Sequence, residues 1–555
     1  MKKRMKCLSL LLAMALLLPL VAGCSKSEQK PAEESAAPFR AWIGSETVEL
    51  DPALAFTPMQ QSVILALYEG LMKLDGDENG SAAVVPGIAR SYEITENFDG
   101  TVSYVFTFRS TARWSDGKRV KADDFVFAWR RLADPDNGFA NASLLSAVAG
   151  YDEVQETGDE TLLQVEAKGS DTFIVTLAQP DDSFLSDVCA AAATVPLRRN
   201  VVSVENWPMP AKLTTNGPFQ LASYRSDGKI ELVRNESYYE SRLIAVEKVV
   251  LLRPADADAA YALYEQGELD YIYAPTAKQV AEQIAAGRTL HAHSAASVSC
   301  VLFNHLTDTF SDARIRRAFD LAVDRGVFAR EENATWIPAT GFVPYGIAND
   351  PESTEDFRTM GGNLCVTDSE KHDEHVREAA NLLTASGHYG GAGLDGLRFV
   401  YVDSVENTTL ALSLQRMWQR ALGVMVTLEA VEEENYEERL LEGDYDLALA
   451  HYEALSSDAM EFLSLWHSEM DSNVIGYVNT AYDLLLGVSE NTHDFAARAA
   501  FLHDAESMLL EDSAIVPVCF PVKHCLLNDL WEGHARDAFG RSCFTGLRPV
   551  GSAKS

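Results

Sequence analysis

The sequence YVFTFR at residues 104–109, followed by WSDG at residues 114–117, predicts a strand and then a tight turn. Tyr104, Phe106 and Phe108 alternate along the first stretch, which is the period of a strand with one buried face. In the second stretch the aspartate can hydrogen-bond the local backbone, and the glycine supplies the backbone freedom that a turn needs. We therefore predict a half-buried strand that ends close to this turn.

A helix is predicted directly after the turn. The sequence continues with VKADDF at residues 120–125 and WRR at residues 129–131. Asp123 or Asp124 can cap this helix, because a short carboxylate accepts hydrogen bonds from the free N–H groups of a first turn. The predicted apolar face includes Phe125, Phe127 and Trp129.

The length of the chain and the alternation of its patterns predict a multidomain α/β protein. The chain has 555 residues, of which 47% are hydrophobic. This is too long for one core, so we expect two or three domains. Helical and strand patterns alternate throughout, and that alternation favours the α/β class.

The charge of the chain argues against nucleic acid as a partner. The formal net charge is −36 at pH 7. Binding to phosphate groups requires clustered lysine and arginine side chains. Neither nucleic acid nor adsorption to an anionic lipid surface is therefore expected.

The first residues predict export and a lipid anchor. Residues 1–23 combine basic side chains with an apolar run at residues 8–20, which is typical of a signal peptide and short for a membrane span. The small residues before Cys24 resemble the bacterial lipobox, in which the cysteine is acylated and becomes the mature N-terminus. An ordinary secreted protein with an incidental cysteine is the alternative. Residues 24–37 are polar and are predicted to form a tether, so we expect a protein anchored at the extracytoplasmic face of the cell membrane, on a cell surface or in a periplasm.

Six cysteines remain beyond Cys24. They form no CxxC pair, so the spacing of zinc and redox motifs is absent. An even number in an exported chain permits disulfides, and buried free thiols are the alternative that the sequence leaves open. The six are Cys189, Cys300, Cys365, Cys519, Cys525 and Cys543.

Several motifs together resemble one family of binding proteins. An aromatic strand, an arginine, WSDG, ADDF and WxR in that order resemble the signature of the oligopeptide- and dipeptide-binding lipoproteins of bacterial ABC importers, the extracellular solute-binding proteins of family 5. The sequence RLADP at residues 131–135 resembles the oligopeptide branch in particular, and the resemblance covers residues 38–548. Further matching segments are EGL at 69–71, PGIA at 86–89, NGPF at 216–219, RIRRA at 314–318 and DSAIVPV at 512–518.

The resemblance implies a fold and its domain bounds. The implied fold is α/β, a two-lobed periplasmic-binding-protein fold of the large, three-subdomain type with hinge crossover strands. The smaller subdomain of the first lobe is expected at residues 86–204, and the second lobe at residues 293–511. The main subdomain of the first lobe is expected to comprise residues 38–85, 205–292 and 512–555.

The resemblance also implies a function. The expected protein captures a peptide between its lobes by pairing the peptide main chain with short strands on each side. It delivers the peptide to an ABC permease that separate ATPase subunits drive. No catalytic step and no cofactor are expected, and we expect a monomer. The alternatives are an extracellular peptide sensor for signalling, a binder of a nickel chelate or haem, and an exported hydrolase, for which no nucleophile motif is found.

The positions that would bind ligand in the first lobe lie on one loop and one strand end. The loop corresponds to Phe56, Thr57 and Met59, and Pro58 between them offers no N–H group. Tyr273 corresponds to a tyrosine that lines the cleft in the family. Ordinary packing in the core or at its rim is the alternative for the aromatic side chains.

The positions in the second lobe depart from the family. The ligand strand corresponds to His451, Tyr452 and Glu453. In oligopeptide binders an aspartate three residues after the aromatic residue pairs with the α-ammonium of the peptide, and this chain has Leu455 there. Glu453 or Asp458 can replace it if the loop is shifted. Otherwise the peptide loses a charge-assisted hydrogen bond of roughly 1.5–3 kcal/mol, and a blocked, cyclic or non-standard peptide becomes a further candidate ligand.

Motifs for nucleotides and metals are predicted to be loops or surface positions. GAGLDG at residues 391–396 follows a helix instead of a strand, so a loop is predicted there and not a dinucleotide site. DGDENG at residues 75–80 lacks the glutamate that completes a calcium loop and is predicted to be a hairpin turn. The histidines within residues 291–293 and 372–375 lack the HExxH spacing. They are predicted to lie on the surface, and no metal ligands are expected.

Overall fold

The computed structural model describes residues 37–76, 80–204, 207–208, 213–329, 335–350, 355–492 and 494–552. The predicted signal peptide, Cys24 and nearly all of the predicted tether lie outside these residues. Within them, no helix is both long and apolar enough to cross a bilayer. The residues from Phe39 onward belong to one compact unit.

Helices and strands alternate along the described chain, as the α/β prediction requires. The strands are β1 (Phe39–Trp42), β2 (Met72–Gly76), β3 (Ala82–Pro86), β4 (Ala89–Glu96), β5 (Val102–Phe108), β6 (Val165–Ala167), β7 (Thr172–Leu177), β8 (Phe219–Tyr224), β9 (Ile230–Arg234), β10 (Lys248–Leu251), β11 (Tyr271–Ile272), β12 (His291–Ser294), β13 (Ser297–Phe303), β14 (Trp336–Pro338), β15 (Arg398–Val402), β16 (Thr427–Val431), β17 (Leu447–Glu453), β18 (Ile515–Leu527), β19 (Trp531–Glu532), β20 (Ala535–Arg536), β21 (Ser542–Cys543) and β22 (Arg548–Pro549). The α-helices are α1 (Pro58–Leu67), α2 (Ala122–Ala133), α3 (Tyr151–Thr157), α4 (Arg199–Val202), α5 (Ala257–Glu265), α6 (Ala277–Ala285), α7 (Ala313–Leu321), α8 (Phe357–Gly361), α9 (His372–Ala385), α10 (Val405–Leu422), α11 (Glu433–Leu441), α12 (Met460–Leu463), α13 (Thr480–Glu490) and α14 (Phe495–Glu511).

The strand and the turn of the opening motif form as their pattern predicts. Tyr104, Phe106 and Phe108 are buried on one face of β5, which lies between β4 and β7 in a four-stranded sheet. In the turn, the side chain of Asp116 accepts a hydrogen bond from the N–H of Lys118 at 3.1 Å. Gly117 has a φ of +81°, a left-handed conformation that glycine adopts without strain. The strand and the turn are confirmed.

The helix that follows differs from the prediction at its cap. Its N-cap is Lys121 and not an aspartate. Asp124 lies three residues further on, and its carboxylate accepts hydrogen bonds from the N–H of Lys121 at 2.9 Å and from the indole of Trp114 at 3.1 Å. Asp124 thus reaches back from inside the first turn, as in the second half of a capping box. The predicted cap at Asp123 or Asp124 is wrong for this reason.

A twelve-stranded sheet extends through both lobes in the described part of the chain. Its order is β16-β15-β17-β13-β18-β11-β1-β10-β9-β8, and β12 and β14 also pair with β18. β1 runs parallel to β10 and β11, and β15 runs parallel to β16 and β17. β18 is central and antiparallel to each strand with which it pairs.

Two crossover segments join the lobes. The first residues of β18 pair with β13, and its last residues pair with β12 and β11. The second segment leads from β12 to β13 through Ala295 and Ala296. Ala296 has a φ of +46°, which is uncommon for a residue with a side chain. The predicted two-lobed fold with crossover strands is confirmed.

Separate hydrophobic cores fill the two lobes. The first-lobe core includes side chains of β1, β5, β7, β9 and α2, and it also includes Phe544 and Leu547 near the end of the chain. Two further cores lie on opposite faces of β13 and β17 and hold side chains between Ala296 and Phe520. The domain bounds given above stay a prediction, which this distribution of core residues supports.

The cysteines and histidines also have definite places. The six cysteines beyond Cys24 are free thiols, and all except Cys365 are buried. His293, which was predicted to lie on the surface, is only 7% exposed, so that prediction is wrong. Its burial depends on β12 packing against β18, more than two hundred residues away in sequence.

β2 and β3 form the predicted hairpin, whose residues 77–79 lie outside the described chain.

Candidate functional site

The predicted ligand loop of the first lobe has most of its backbone donors engaged. The N–H groups of Phe56 and Thr57 both donate to the side-chain oxygen of Gln60, at 2.9 and 3.4 Å. The hydroxyl of Thr57 in turn accepts from the N–H of Gln60 and caps α1. Pro58 has no N–H group. Phe56 is 49% exposed, so a ligand would meet its ring more than free main-chain donors.

Met59 and Tyr273 have different surroundings. Met59 is buried and packs against Gly44, so its side chain belongs to the core and not to the loop surface. Tyr273 directly follows β11 and is half-buried. The guanidinium of Arg536 lies 3.8 Å from the centre of its ring and donates to its carbonyl at 3.2 Å. Burial raises the pKa of the Tyr273 hydroxyl, which stays protonated.

β17 turns its predicted ligand side chains to opposite faces. Tyr452 packs edge-on against Phe342 and Trp466, with ring centres 6.1 and 5.7 Å apart. His451 and Glu453 are exposed on the other face. This division follows from the two-residue period of a strand. Tyr452 therefore supports the strand from the rim of the second-lobe core.

The main chain of β17 has an unpaired edge beyond Leu449. The N–H of Ala454 donates to the carbonyl of Ala296 at 2.9 Å, so the even-numbered residues of β17 hydrogen-bond to β13. The odd-numbered residues face β15, and that pairing ends at Leu449. The N–H and C=O groups of His451 and Glu453 thus point to an edge with which no described strand pairs. An extended chain can add there as a further strand.

Leu455, at the position where the family resemblance implies an aspartate, forms exposed apolar surface. Its side chain is 89% exposed next to the unpaired edge. Its N–H donates to the carboxylate of Glu461 at 2.9 Å, and the N–H of Ser456 donates to the same carboxylate at 2.8 Å. A carboxylate therefore lies near this position, but backbone donors already occupy both of its oxygens.

The two carboxylates that could replace the missing aspartate each have a cationic partner. Glu453 accepts a hydrogen bond from Lys523 at 2.9 Å, and both side chains are about half exposed. Asp458 accepts hydrogen bonds from Arg498 at 3.1 and 2.8 Å, and those two side chains are 21% and 11% exposed. The first pair is more exposed, so a ligand ammonium can reach Glu453 more easily than Asp458. Solvent also weakens the attraction between Glu453 and Lys523 more than that between Asp458 and Arg498.

Arg498 also links the two lobes. This residue lies on α14 and contacts the carboxylate of Asp182 in the first lobe as well as that of Asp458. Close by, the N–H of Ser457 donates to the carboxylate of Asp187 at 3.2 Å. The loop after β17 therefore rests against the segment 181–187 of the first lobe.

Burial changes the acidity of this contact. Burial raises the pKa of Asp187 to about 6, although hydrogen bonds from Ser457 and Ser186 and the charge of Arg541 act in the opposite direction. The pKa of Asp181 is raised by burial as well. The contact between the lobes therefore contains carboxyl groups that titrate nearer to neutral pH than usual.

Sequence reasoning did not find the charged partners of this region. They lie on separate helices, strands and loops, and none belongs to a local motif. Only contacts between distant segments bring them together, so no spacing in the sequence marks them. They are Asp182, Asp187, Glu461, Arg498 and Lys523.

Two lobes joined by crossover strands, with an unpaired strand edge in one of them, are the arrangement of a solute-binding protein that closes on its ligand. The chain belongs to the bacterial extracellular solute-binding proteins of family 5, because the model described as "Bacterial extracellular solute-binding proteins, family 5 Middle" matches residues 83–473. The family resemblance of the sequence motifs is confirmed.

Curated relatives align with most of the chain. The dipeptide-binding protein DppE of Bacillus subtilis is 26% identical, over 97% of this chain and 98% of its own length. The probable deoxycholate-binding periplasmic protein YgiS of Escherichia coli is 29% identical, over 88% of this chain and 90% of its own. The periplasmic murein peptide-binding protein MppA of Escherichia coli is 28% identical, over 86% of each chain.

Two solved structures of MppA match this fold to different degrees. The unliganded open form gives a TM-score of 0.80 at 24% identity, covering 93% of this chain and 98% of that one. Another structure of the Escherichia coli murein tripeptide binding protein MppA gives a TM-score of 0.55 at the same identity, covering 93% and 99%. Both matches extend over nearly the whole of each chain, and they show that the fold is shared.

Proposed function

We propose that this protein captures peptides between its two lobes outside the cytoplasm and delivers them to the permease of an ABC importer. Membership of family 5 and the peptide ligands named for DppE and MppA support this proposal. The observation that carries it is the unpaired edge of β17 at His451 and Glu453. Main-chain pairing at such an edge accepts many peptide sequences, because it does not depend on their side chains.

The proposed ligand site combines positions with different roles. The exposed ring of Phe56 and the edge of β17 would contact the peptide directly. Met59 and Tyr452 would support these segments from the cores of their lobes. The complete proposed set is Phe56, Thr57, Met59, Tyr273, His451, Tyr452, Glu453 and Asp458.

The proposed cycle uses the crossover segments as a hinge. The higher TM-score to the open form of MppA supports an open arrangement of the lobes here. Rotation about β18 and the segment at Ala295 and Ala296 would bring the loop at Phe56 towards the edge of β17. A bound peptide would then favour the closed arrangement, because it makes contacts with both lobes only in that state.

The proposed anchor is a lipid on Cys24, added when residues 1–23 are removed. Residues 24–37 would tether the monomeric binding protein to the extracytoplasmic face of the membrane, near its permease and the ATPase subunits. Mass spectrometry of the mature N-terminus tests the anchor. Cys24→Ser should move the protein from the membrane fraction to the soluble fraction, and a variant that stays in the membrane fraction would count against lipidation.

A bile acid is a second candidate ligand. YgiS is named for probable deoxycholate binding. Leu455 offers exposed apolar surface at the position where the family resemblance implies an aspartate. An apolar side chain there suits a ligand without an ammonium group.

Thermal-shift measurements on the full chain test both ligands. Peptides of two to five residues should raise the Tm, as ligands of the folded state do. A peptide with an N-methyl group on an internal amide should raise it less, because it has lost a main-chain donor. A Tm that rises only with deoxycholate would favour the second candidate, and no rise with any peptide would contradict the first.

A further inference from the structure

Three side chains that commonly bind metals meet on the first-lobe side of the crossover. His293 lies on β12, Cys525 lies on β18, and His534 lies just before β20. The Nε2 atom of His293 is 3.2 Å from the Sγ atom of Cys525. One ligand atom of each of the three residues lies within 4.8 Å of the others. All three side chains are buried.

We propose that His293, Cys525 and His534 form a binding site for one thiophilic transition-metal ion, with Zn²⁺ as the expected ion. Imidazole and thiolate ligands favour zinc and copper over Mg²⁺ and Ca²⁺, which prefer oxygen. In a tetrahedral zinc site with bonds of about 2.0–2.3 Å, ligand atoms lie roughly 3.3–3.6 Å apart. The three atoms therefore need only small movements to share an ion.

A buried nitrogen atom without a hydrogen-bond partner also points to a metal ion. The Nε2 atom of His534 is buried and has no hydrogen-bond partner among the described residues. The ring of the buried Tyr271 packs on the same histidine, with the two ring centres 4.1 Å apart. Buried polar atoms are rarely left unpaired, because each costs about 1–3 kcal/mol. A metal ion would satisfy this nitrogen.

Metal binding sets a requirement on the protonation of the three side chains. Each histidine binds an ion through a neutral imidazole nitrogen, and the cysteine binds it as a thiolate. Binding must therefore release the thiol proton to solvent, at about one proton for each ion. Arg536 is the charge that opposes a cation, and its guanidinium is directed to Tyr273.

The site would tie together parts of the chain that meet at the hinge. β12 and β18 belong to the two crossover segments, and His534 belongs to the segment that follows β18. Gly80, in the connection between β2 and β3, covers the site, since a Cβ atom there would lie 3.6 Å from Cε1 of His293. A bound ion would fix the first-lobe end of both crossovers, independently of which solute the cleft takes.

Cobalt titration of the full chain tests the proposal. The purified protein is treated with a chelator and then titrated with Co²⁺, which reports a cysteine ligand by thiolate-to-metal absorption in the near ultraviolet. We expect one equivalent of Co²⁺ to bind, Zn²⁺ to displace it, and Zn²⁺ to raise the Tm. Cys525→Ser should abolish the absorption and lower Zn²⁺ affinity at least tenfold, and His534→Gln should lower that affinity as well.

Cys543→Ser is the matched control. Cys543 is another buried thiol of the first lobe, whose Sγ atom lies 3.0 Å from the hydroxyl of Thr545. This variant should bind Co²⁺ as the parent does, with the same absorption. The proposal is overturned if the parent binds neither Co²⁺ nor Zn²⁺, or if the absorption persists in Cys525→Ser. The measurement on the parent stands even if a variant fails to fold.

Discussion

Lys523 on the crossover strand β18 donates a hydrogen bond to the carboxylate of Glu453 on β17, at 2.9 Å. This pair joins the unpaired edge of the second lobe to the strand that connects both lobes. About half of each side chain is exposed, so the pair contributes no more than roughly 1 kcal/mol. A cationic group on a ligand can therefore displace Lys523 without a large loss.

Glu453→Gln should weaken the binding of peptides with a free amino terminus. The variant removes the most accessible carboxylate beside the edge, and we expect a loss of about three- to tenfold in affinity. N-acetylated peptides should bind the variant and the parent alike. Isothermal titration calorimetry with matched free and acetylated peptides measures the difference. Lys523→Met should raise the affinity for the free peptide relative to the acetylated one, because it leaves Glu453 without its partner. Equal losses of affinity for both peptides in Glu453→Gln would contradict this role of Glu453.

Leu455→Asp should strengthen the binding of peptides with a free amino terminus. The substitution supplies the aspartate that the family resemblance implies, at an 89% exposed position, so the fold should tolerate it. A charge-assisted hydrogen bond of roughly 1.5–3 kcal/mol corresponds to about a 10- to 150-fold gain in affinity. Leu455→Asn is the control of similar shape without the charge. A gain in the Asn variant equal to that in the Asp variant would show that the α-ammonium is not involved.

Arg498→Met should lower the stability of the protein. The side chain is 11% exposed between the carboxylates of Asp182 and Asp458, which would lose their shared cation. We expect a loss of about 2–3 kcal/mol in the free energy of unfolding, below the value for a fully buried pair because solvent reaches the site. Chemical denaturation measures it. Arg377→Met, at an exposed position on α9, is the control and should change stability by less than about 0.5 kcal/mol.

Asp187→Asn should alter how stability depends on pH. Burial raises the pKa of Asp187 to about 6 in the folded protein, above its ordinary value of 3.8. Between these two values the unfolded chain loses the proton while the folded chain keeps it, so stability falls as pH rises. Above about pH 6 the folded carboxyl is ionised too, and the full penalty remains.

The variant has no such penalty, because asparagine does not ionise. Its Tm should therefore exceed that of the parent at pH 7.5 and approach it at pH 4. Differential scanning calorimetry across this range provides the comparison, with Asp136→Asn at an exposed turn as the control. A Tm difference that does not change with pH would contradict the assignment of this titration to Asp187.

Local patterns predicted those elements whose structure depends on near neighbours. The alternation at Tyr104, Phe106 and Phe108 and the turn at Gly117 both formed as predicted, because strand period and turn chemistry operate over a few residues. The predicted helix cap was wrong because Asp124 can accept hydrogen bonds from inside the first turn as well as from the N-cap position. The same sequence is compatible with both geometries.

Contacts between segments that are distant in the chain could not be predicted from the sequence. The burial of His293 depends on β18, and the partners of Glu453 and Asp458 come from β18 and α14. The family resemblance predicted which strand contacts the ligand, but it could not say which side chains of that strand face the core. That division became clear once the pairing of Ala454 with Ala296 fixed which main-chain groups of β17 face outward.

The central position of β18 determines when the sheet of the two lobes can form during synthesis. This strand lies in the middle of the sheet of both lobes, yet it begins only at Ile515. During synthesis from the N-terminus, neither lobe can close its sheet until almost all of the chain has been made. The first lobe, whose first strand starts at Phe39, also waits for Phe544 and Leu547 to fill its core. A nascent or truncated chain that ends before Ile515 therefore lacks the central strand of the sheet that runs through both lobes.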